Sequence, residues 1–457
     1  MRSTPMGQYY PFFKAYDIRA RVPDELDADM ARRIGMAFVA ELEAKTVVVG
    51  RDMRLSSPEL AEALIDGLTT AGADVLDIGL AGTEEVYYGV FSQAADGGVM
   101  VTASHNPKDY NGLKFVREQA KPISADTGLA DIERRVHAGE AQKADAPGAR
   151  HTLDQRDDYI AFLLAQIKPE NYKPLKIVVN PGNGCAGLVV DKLADKLAFE
   201  FVRMQFEPDG ELPNGVPNPL LIENREATSK AVREAGADFG VAWDGDFDRC
   251  FFFDERGEFI EGYYIVGLIA QMLLKMNPGE AIVHDPRLIW NTLDQVEAAG
   301  GRAVESKSGH SFMKQVMRES DALYGGEMSA HHYFREFSYA DNGHLPWLVL
   351  AQLISEAGKG LSTLVEERIA AFPASGEINR RVDDADAVMA DMENHYADAA
   401  ESIEHVDGLS MNFGDWRFNL RMSNTEPVIR LNVEARGDKQ LLREKTDELL
   451  TRIGGTA

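Results

Sequence analysis

Cysteine is almost missing: Cys185 and Cys250 are the only two in 457 residues. That is too few for a disulfide framework and fits a reducing, cytoplasmic location. Long apolar runs are missing too. No stretch of about 18 apolar residues occurs, so a transmembrane helix is excluded and no membrane partner is expected. The opening Met1-Arg2-Ser3-Thr4-Pro5 leads to Lys14, Asp17 and Arg19 rather than to an apolar segment, so no secretory signal is expected. Basic residues are in deficit: 48 Lys and Arg face 74 Asp and Glu, a formal charge of −26. Non-specific nucleic-acid binding rests on a basic footprint, so nucleic acid is not an expected partner. An acidic surface also repels anions at long range, so a phosphorylated substrate requires Arg and Lys gathered locally.

What is present is a chain of 44% hydrophobic content, ordinary for a soluble globular protein. It is too long for one core, because single cores stop growing near roughly 250–300 residues. At about 150 residues per domain the first expectation is roughly three domains. Three β-branched runs, Thr46 to Gly50, Lys176 to Asn180 and Ala281 to His284, read as buried strands. Each leads into a polar loop, and helical patterns follow at Pro58 to Ala71 and Ala186 to Leu197. The runs recur at domain-sized intervals, so three α/β domains of related plan with mixed or mostly parallel sheets are expected. The end of the chain differs. Trp416 to Arg421 and Val428 to Glu434 read as strands and Lys439 to Ile453 as one amphipathic helix, a smaller α+β domain. Polar or Pro/Gly-rich stretches at Glu140 to Arg150, Asp254 to Gly257 and Phe372 to Gly376 mark the boundaries. The expected domains are 1–147, 148–254, 255–371 and 372–457.

Ligands of open α/β sheets gather beyond the carboxyl ends of strands, and four loops there carry unusual polar density. In Thr102-Ala103-Ser104-His105-Asn106-Pro107 a strand ends on a hydroxyl, with Lys114 as a nearby cation. Ser104 is either a turn-closing side chain or a nucleophile and phosphate carrier, which needs a base or metal for activation. In Asp244-Gly245-Asp246-Phe247-Asp248-Arg249 three carboxylates alternate, and an extended backbone would aim them to one side. Such crowding calls for a cation, and hard oxygen ligands favour Mg²⁺ or Ca²⁺. A calcium EF-hand loop fails, because Arg249 stands where that loop needs glycine and Cys250 to Phe253 reads as a strand. In Gly325-Gly326-Glu327-Met328-Ser329-Ala330-His331 a Glu and a Ser could bind adjacent sugar hydroxyls, or the glycines could simply make a turn. His310 lies just upstream and is either structural or a proton shuttle. In Arg421 to Arg430 two guanidinium groups bracket Ser423, Asn424 and Thr425, a donor-rich set suited to phosphate.

Taken in order, five segments resemble the α-D-phosphohexomutase (phosphomannomutase/phosphoglucomutase) superfamily, and its bacterial phosphomannomutase branch most of all. They are Phe13 to Arg19, Thr102 to Pro107, Asp244 to Arg249, Gly326 to His331 and Arg421 to Arg430. They span nearly the whole chain in the family's order. The resemblance implies four domains around a central cleft. It implies that Ser104 carries phosphate, and that Asp244, Asp246 and Asp248 hold one Mg²⁺ with a phosphoserine oxygen. Glu327 and Ser329 would bind the sugar 3- and 4-hydroxyls, with His331 in the same substrate-binding motif. Arg421, Ser423, Asn424, Thr425 and Arg430 would hold the phosphate not being transferred. Tyr16, Arg19, Lys114, Arg249 and His310 would line the transfer site, and Arg287 would take the phosphate-facing place of a lysine found in many relatives. Ala20 departs from the usual glycine after Arg19.

The implied reaction interconverts mannose 6-phosphate and mannose 1-phosphate through a hexose 1,6-bisphosphate that turns end over end. Lys114 and His310 are the candidates for the base, and Lys114 would need a lowered pKa for it. The partners implied are small hexose phosphates, with the chain a monomer or weak homodimer. A phosphoglucomutase, a sugar-bisphosphate synthase, a phosphatase and a non-catalytic sugar-phosphate binder are the competing readings.

Overall fold

The computed structural model describes residues 7–140, 142–422 and 428–456. Among the described residues, four sheets organise the chain. The first has the order Ile18–Arg21, Tyr110–Arg117, Gly97–Val101, Thr46–Arg51, Asp74–Leu80, Arg150–Thr152. Pairing is parallel from Gly97–Val101 onward and antiparallel at the other end, so the sheet is mixed. Val47, Val48 and Val49 are fully buried, as a strand covered on both faces requires. Val47 and Val49 join the core made with the helices Ala28–Leu42 and Ser57–Thr70. Val48 faces the helix Thr83–Ser92 on the opposite side. The first helix starts on Asp27, whose carboxylate accepts from Met30 N–H at 2.8 Å. It lies so close to the second that a Cβ on Gly67 would meet the Arg32 carbonyl oxygen at 2.1 Å.

The second sheet sets Cys250–Phe253 antiparallel to Phe239–Trp243, then continues parallel through Lys176–Asn180 and Glu200–Arg203. The third runs Arg302–Glu305, Ala281–His284, Tyr324–Gly326, His332–Phe334, parallel until the last pair. The fourth is wholly antiparallel, in the order Ala374–Arg381, Val428–Ala435, Trp416–Met422, Leu409–Asn412, Ser402–Glu404. The helix Lys439–Ile453 buries Leu449 and Ile453 in that sheet's core. The architecture is therefore three α/β layers with mixed sheets and a C-terminal α+β domain.

The chain divides into two compact units, Met1–Phe259 with Glu336–Glu356, and Ile260–Arg335 with Ala357–Ala457. Two elements fall across the boundaries expected from composition. Arg150–Thr152 lies beyond the expected end at 147 yet forms the edge of the first sheet, in register with Val75 to Asp77. Glu336–Glu356, inside the expected third domain 255–371, belongs to the first unit. There Trp243 donates its indole N–H to the Gly343 carbonyl at 2.8 Å, and Tyr172 its hydroxyl to the Leu348 carbonyl at 2.9 Å. The helix Leu345–Ala357 is apolar on nearly every side and buried from Leu345 to Ser355, so it must be surrounded rather than docked on one face. Among the described residues no helix is long and apolar enough to cross a membrane. Cys185 and Cys250 are both buried free thiols.

Candidate active site

In the first unit the loops following Gly97–Val101 and Phe239–Trp243 meet. Ser104 sits at φ +48°, a left-handed backbone uncommon for a residue with a Cβ and one that costs energy to hold. Its environment holds it there. Its N–H donates to Thr102 Oγ1 at 2.8 Å. The buried Arg54 guanidinium donates to four carbonyls of the same segment, Ser104 at 2.9 Å, Asn106 at 2.6 Å, Pro107 at 2.7 Å and Tyr110 at 2.9 Å. The Ser104 hydroxyl donates to Asp244 Oδ2 at 3.0 Å and lies 2.9 Å from His105 Nδ1.

The acidic loop is not extended as its alternation suggested. It turns, with Phe247 at φ +47°, and the turn brings Asp244, Asp246 and Asp248 together rather than a strand-like alternation. Oxygens of all three, each buried, lie within 4.8 Å of one another. Cys250–Phe253 is the strand that excludes an EF-hand. Asp246 receives a hydroxyl hydrogen bond from Thr83 at 2.6 Å through Oδ2, and its buried Oδ1 has no hydrogen-bond partner among the described residues. An orphaned carboxylate oxygen in a cluster of hard oxygen donors fits a divalent cation such as Mg²⁺.

Two cations balance the cluster. Lys114 Nζ lies 2.6 Å from Asp246 Oδ2 and 2.5 Å from Asp248 Oδ2. Burial pulls its pKa down, but Asp246 and Asp248 outweigh burial and hold it above its ordinary value. The shift is opposite to the lowered pKa that Lys114 would need to serve as the base. Arg249 binds Asp244 Oδ2 through Nε at 2.9 Å and Nη2 at 2.7 Å. Burial raises the Asp244 pKa, yet Arg249 prevails and the carboxyl ends below its ordinary value. His105 is pushed down to about 4 by burial and by Arg249. It is therefore neutral near pH 7, and its Nδ1 accepts from Arg249 Nη2 at 2.6 Å. Arg19 pairs with Asp17 at 2.7 Å and donates to Asn106 Oδ1 at 3.0 Å. Tyr16 is half-buried in the bend before Ile18–Arg21. Ala20 is buried within that strand and is not left-handed, so its Cβ is accommodated.

In the second unit the loops after Ala281–His284 and Tyr324–Gly326 meet the fourth sheet. Glu327 accepts from Gly309 N–H at 2.7 Å and from the Tyr333 hydroxyl at 2.6 Å, and lies 3.2 Å from His331 Nδ1. Burial raises its pKa, but His331 and Arg287 overcome burial and keep the carboxyl below its ordinary range. Ser329 Oγ is 3.5 Å from His331 Nδ1. His310, half-buried, opens the helix His310–Ser320 next to Gly309. Arg287 is committed to Asp285 through Nε at 3.0 Å and Nη2 at 2.8 Å, and presents Nη1 to Glu377 at 3.5 Å. Arg421 and Arg430 also flank Glu377. Ser423, Asn424 and Thr425 lie outside the described residues.

Sequence reasoning had gathered Ser104, Lys114, Arg249 and the Asp244 to Asp248 cluster, and these converge. It overlooked His105, Arg54 and Thr83 in the first unit and Asp285, Glu377 and Asp407 in the second. His105 was adjacent to the hydroxyl and Arg54 lay in a loop at a strand's carboxyl end, so both had a signal. Thr83 and Glu377 had none, since each acts through a contact distant in sequence.

Sequence profiles described as phosphoglucomutase/phosphomannomutase alpha/beta/alpha domains I, II and III match residues 11–143, 157–257 and 261–372, and the family's C-terminal domain profile matches 377–451. A protein named "phosphohexose mutases" from Xanthomonas campestris pv. campestris is 59% identical over 97% of this chain and 99% of its own length. A phosphomannomutase from Salmonella montevideo is 56% identical over 96% of this chain and 98% of its own. A phosphoglucomutase/phosphomannomutase family protein from Burkholderia thailandensis superposes with a TM-score of 0.87 at 33% identity, covering 97% of this chain and 98% of that one.

Proposed function

The chain belongs to the phosphoglucomutase/phosphomannomutase family, and from that premise we propose that it is a mutase interconverting mannose 6-phosphate and mannose 1-phosphate. The observation that carries the reading is the Ser104 hydroxyl, held on a left-handed backbone and bonded to Asp244 inside a buried three-carboxylate cluster. A serine is a weak nucleophile on its own, and here it stands beside the donors that would bind a metal.

In the resting enzyme Ser104 carries a phosphoryl group. Asp244, Asp246 and Asp248 would hold one Mg²⁺, and a cation bound there would supply charge neutralisation for phosphoryl transfer. The sugar's free O1 or O6 hydroxyl attacks phosphorus, the Oγ–P bond breaks, and a P–O bond to the sugar forms. The proton of the attacking hydroxyl leaves for a base and Ser104 Oγ regains one, so the balance closes. Lys114 and His310 are the two candidate bases; Lys114, an ammonium between two carboxylates, would have to give up its proton before it could accept one. The hexose 1,6-bisphosphate then turns end over end, and its other phosphate returns to Ser104. Arg249, Arg19 and Tyr16 serve the transferring phosphate. Arg287, Arg421 and Arg430, with Ser423, Asn424 and Thr425, hold the other phosphate, and Glu327, Ser329 and His331 bind the sugar hydroxyls.

Glucose phosphates are substrates too in this reading, because the 3- and 4-hydroxyls are equatorial in both sugars. A preference beyond about 10⁴ for mannose would need a group that reads the C2 hydroxyl. The two buried free thiols suit a reducing cytoplasm. The test is a coupled assay on mannose and glucose 1-phosphates with Mg²⁺ and a bisphosphate primer, run beside Ser104→Ala. The wild type should turn over and carry one phosphate by intact mass, while Ser104→Ala should bind mannose 6-phosphate, carry none and lose turnover. Full activity in Ser104→Ala would remove the covalent carrier, and release of free phosphate would point to a phosphatase instead.

A further inference from the structure

Glu377, in the strand Ala374–Arg381, shares one carboxylate among three guanidinium groups. Its Oε2 lies 3.1 Å from Arg421 Nη2 and 3.5 Å from Arg287 Nη1, and its Oε1 lies 3.8 Å from Arg430 Nη1. Only the first of these is a hydrogen bond. The buried Nε–H groups of Arg421 and Arg430 have no hydrogen-bond partner among the described residues. The cluster thus offers more donors than Glu377 consumes. Arg287 is already paired with Asp285 along its other edge, and Asp407 reaches Arg421 Nη1 at 3.5 Å. Three like charges aimed at one point repel unless an anion sits among them. Glu377 is that anion, but it fits loosely. A phosphate, with more acceptor oxygens in a tetrahedral array, matches guanidinium forks better than one carboxylate does.

We propose that Glu377 is a tethered stand-in for the substrate's held phosphate. It keeps Arg287, Arg421 and Arg430 gathered while no phosphate is bound, and it competes with the phosphate once one arrives. This rests on the mutase reading, in which the bisphosphate must let go of the holding cluster in order to turn. Arg287 would keep Asp285 and Arg421 would keep Asp407 when a dianion leaves, but without Glu377 the charge shared by all three guanidinium groups would be gone. With Glu377 beside them, a replacement charge is already in place at release. Glu377 is therefore a positioning residue that trades grip for release.

Glu377→Gln in the full chain tests this. Inorganic phosphate binding is measured by titration calorimetry, and the heat abolished by Arg421→Ala identifies this cluster. Glu377→Gln should bind phosphate about threefold to tenfold more tightly, since a like charge is gone. Its midpoint of thermal unfolding should drop without ligand and be restored by phosphate more than in the wild type. KM for mannose 6-phosphate and kcat should fall together, because the bisphosphate is held longer. Glu377→Asp, which keeps the charge but draws it back by one methylene, should tighten phosphate binding by a smaller factor and serves if the glutamine variant does not fold. Phosphate affinity unchanged or weakened in the folded variants overturns the proposal. A wild-type chain that binds phosphate but never turns over mannose phosphates sinks the mutase reading instead, and leaves the affinity comparison standing.

Discussion

The backbones of Gly245 and Ser104 touch: a Cβ at position 245 would lie 2.6 Å from the Ser104 carbonyl oxygen. The contact sets the acidic loop against the hydroxyl loop, and Asp244 reaches the Ser104 hydroxyl at 3.0 Å as a result. Gly245→Ala should push the loops apart by a substantial fraction of an ångström while both sheets stay folded. Misplacement on the scale of 1 Å costs about 10²-fold in rate, so kcat should drop roughly tenfold to a hundredfold with the circular dichroism spectrum unchanged. A variant as active as the wild type would show that the close approach is incidental.

Arg54 spends its guanidinium on four carbonyls of the hydroxyl loop. A lysine ammonium has no planar fork and cannot reach all four. In Arg54→Lys the left-handed Ser104 loses its brace. We expect kcat to fall about tenfold to a hundredfold and KM for mannose 6-phosphate to stay within about twofold, as for an interaction that orients the nucleophile rather than binds the sugar. A rise in KM alone would assign Arg54 to substrate binding.

Removing the metal should stop turnover. A ligand that binds only the folded state adds about 2.7 kcal/mol at a hundred times its Kd. Mg²⁺ should therefore raise the thermal midpoint of the chelator-treated wild type and leave that of Asp246→Asn almost unmoved. Equal shifts in the two proteins would locate the ion elsewhere.

Burial lowers the His344 pKa to about 3. Trp347 donates its indole N–H to His344 Nδ1 at 3.0 Å, so a proton on that nitrogen would face another donor. The folded pKa lies below the unfolded value of about 6.5. As pH falls below 6.5 the unfolded chain takes up a proton that the folded one refuses, so stability is lost progressively from pH 6.5 toward 3. His332, also lowered to about 3 by burial, acts with the same sign. Urea midpoints between pH 6.5 and 4 should decline more gently in His344→Gln than in the wild type. An unchanged slope would mean that the acid sensitivity comes from other groups.

The helix Lys439–Ile453 was legible to the residue, because its apolar period and Asp438 cap lie within one segment. The strand expected at Lys176 to Asn180 was equally clear, and the one expected at Thr46 to Gly50 runs one residue further, to Arg51. The edge strand Arg150–Thr152 was not, since all of it is exposed and only its partner Asp74–Leu80 makes it a strand. Alternation pointed to three carboxylates that do converge, but for an inexact reason: a turn at Phe247, not an extended backbone, brings them together.

Sequence alone determined which side chains are the candidates: a hydroxyl, three carboxylates and a set of arginines, each in or beside a loop that joins apolar strands. Local pattern suffices there, because strand ends and turn residues are written within a few positions. Tertiary structure decided the state of those groups. Lys114 is charged because Asp246 and Asp248 come within 2.6 Å of it from another sheet. Arg287, Arg421 and Arg430, far apart in the sequence, all approach Glu377. Charge state and mutual placement depend on burial and on neighbours far away in the chain, and these exist only once the sheets have packed.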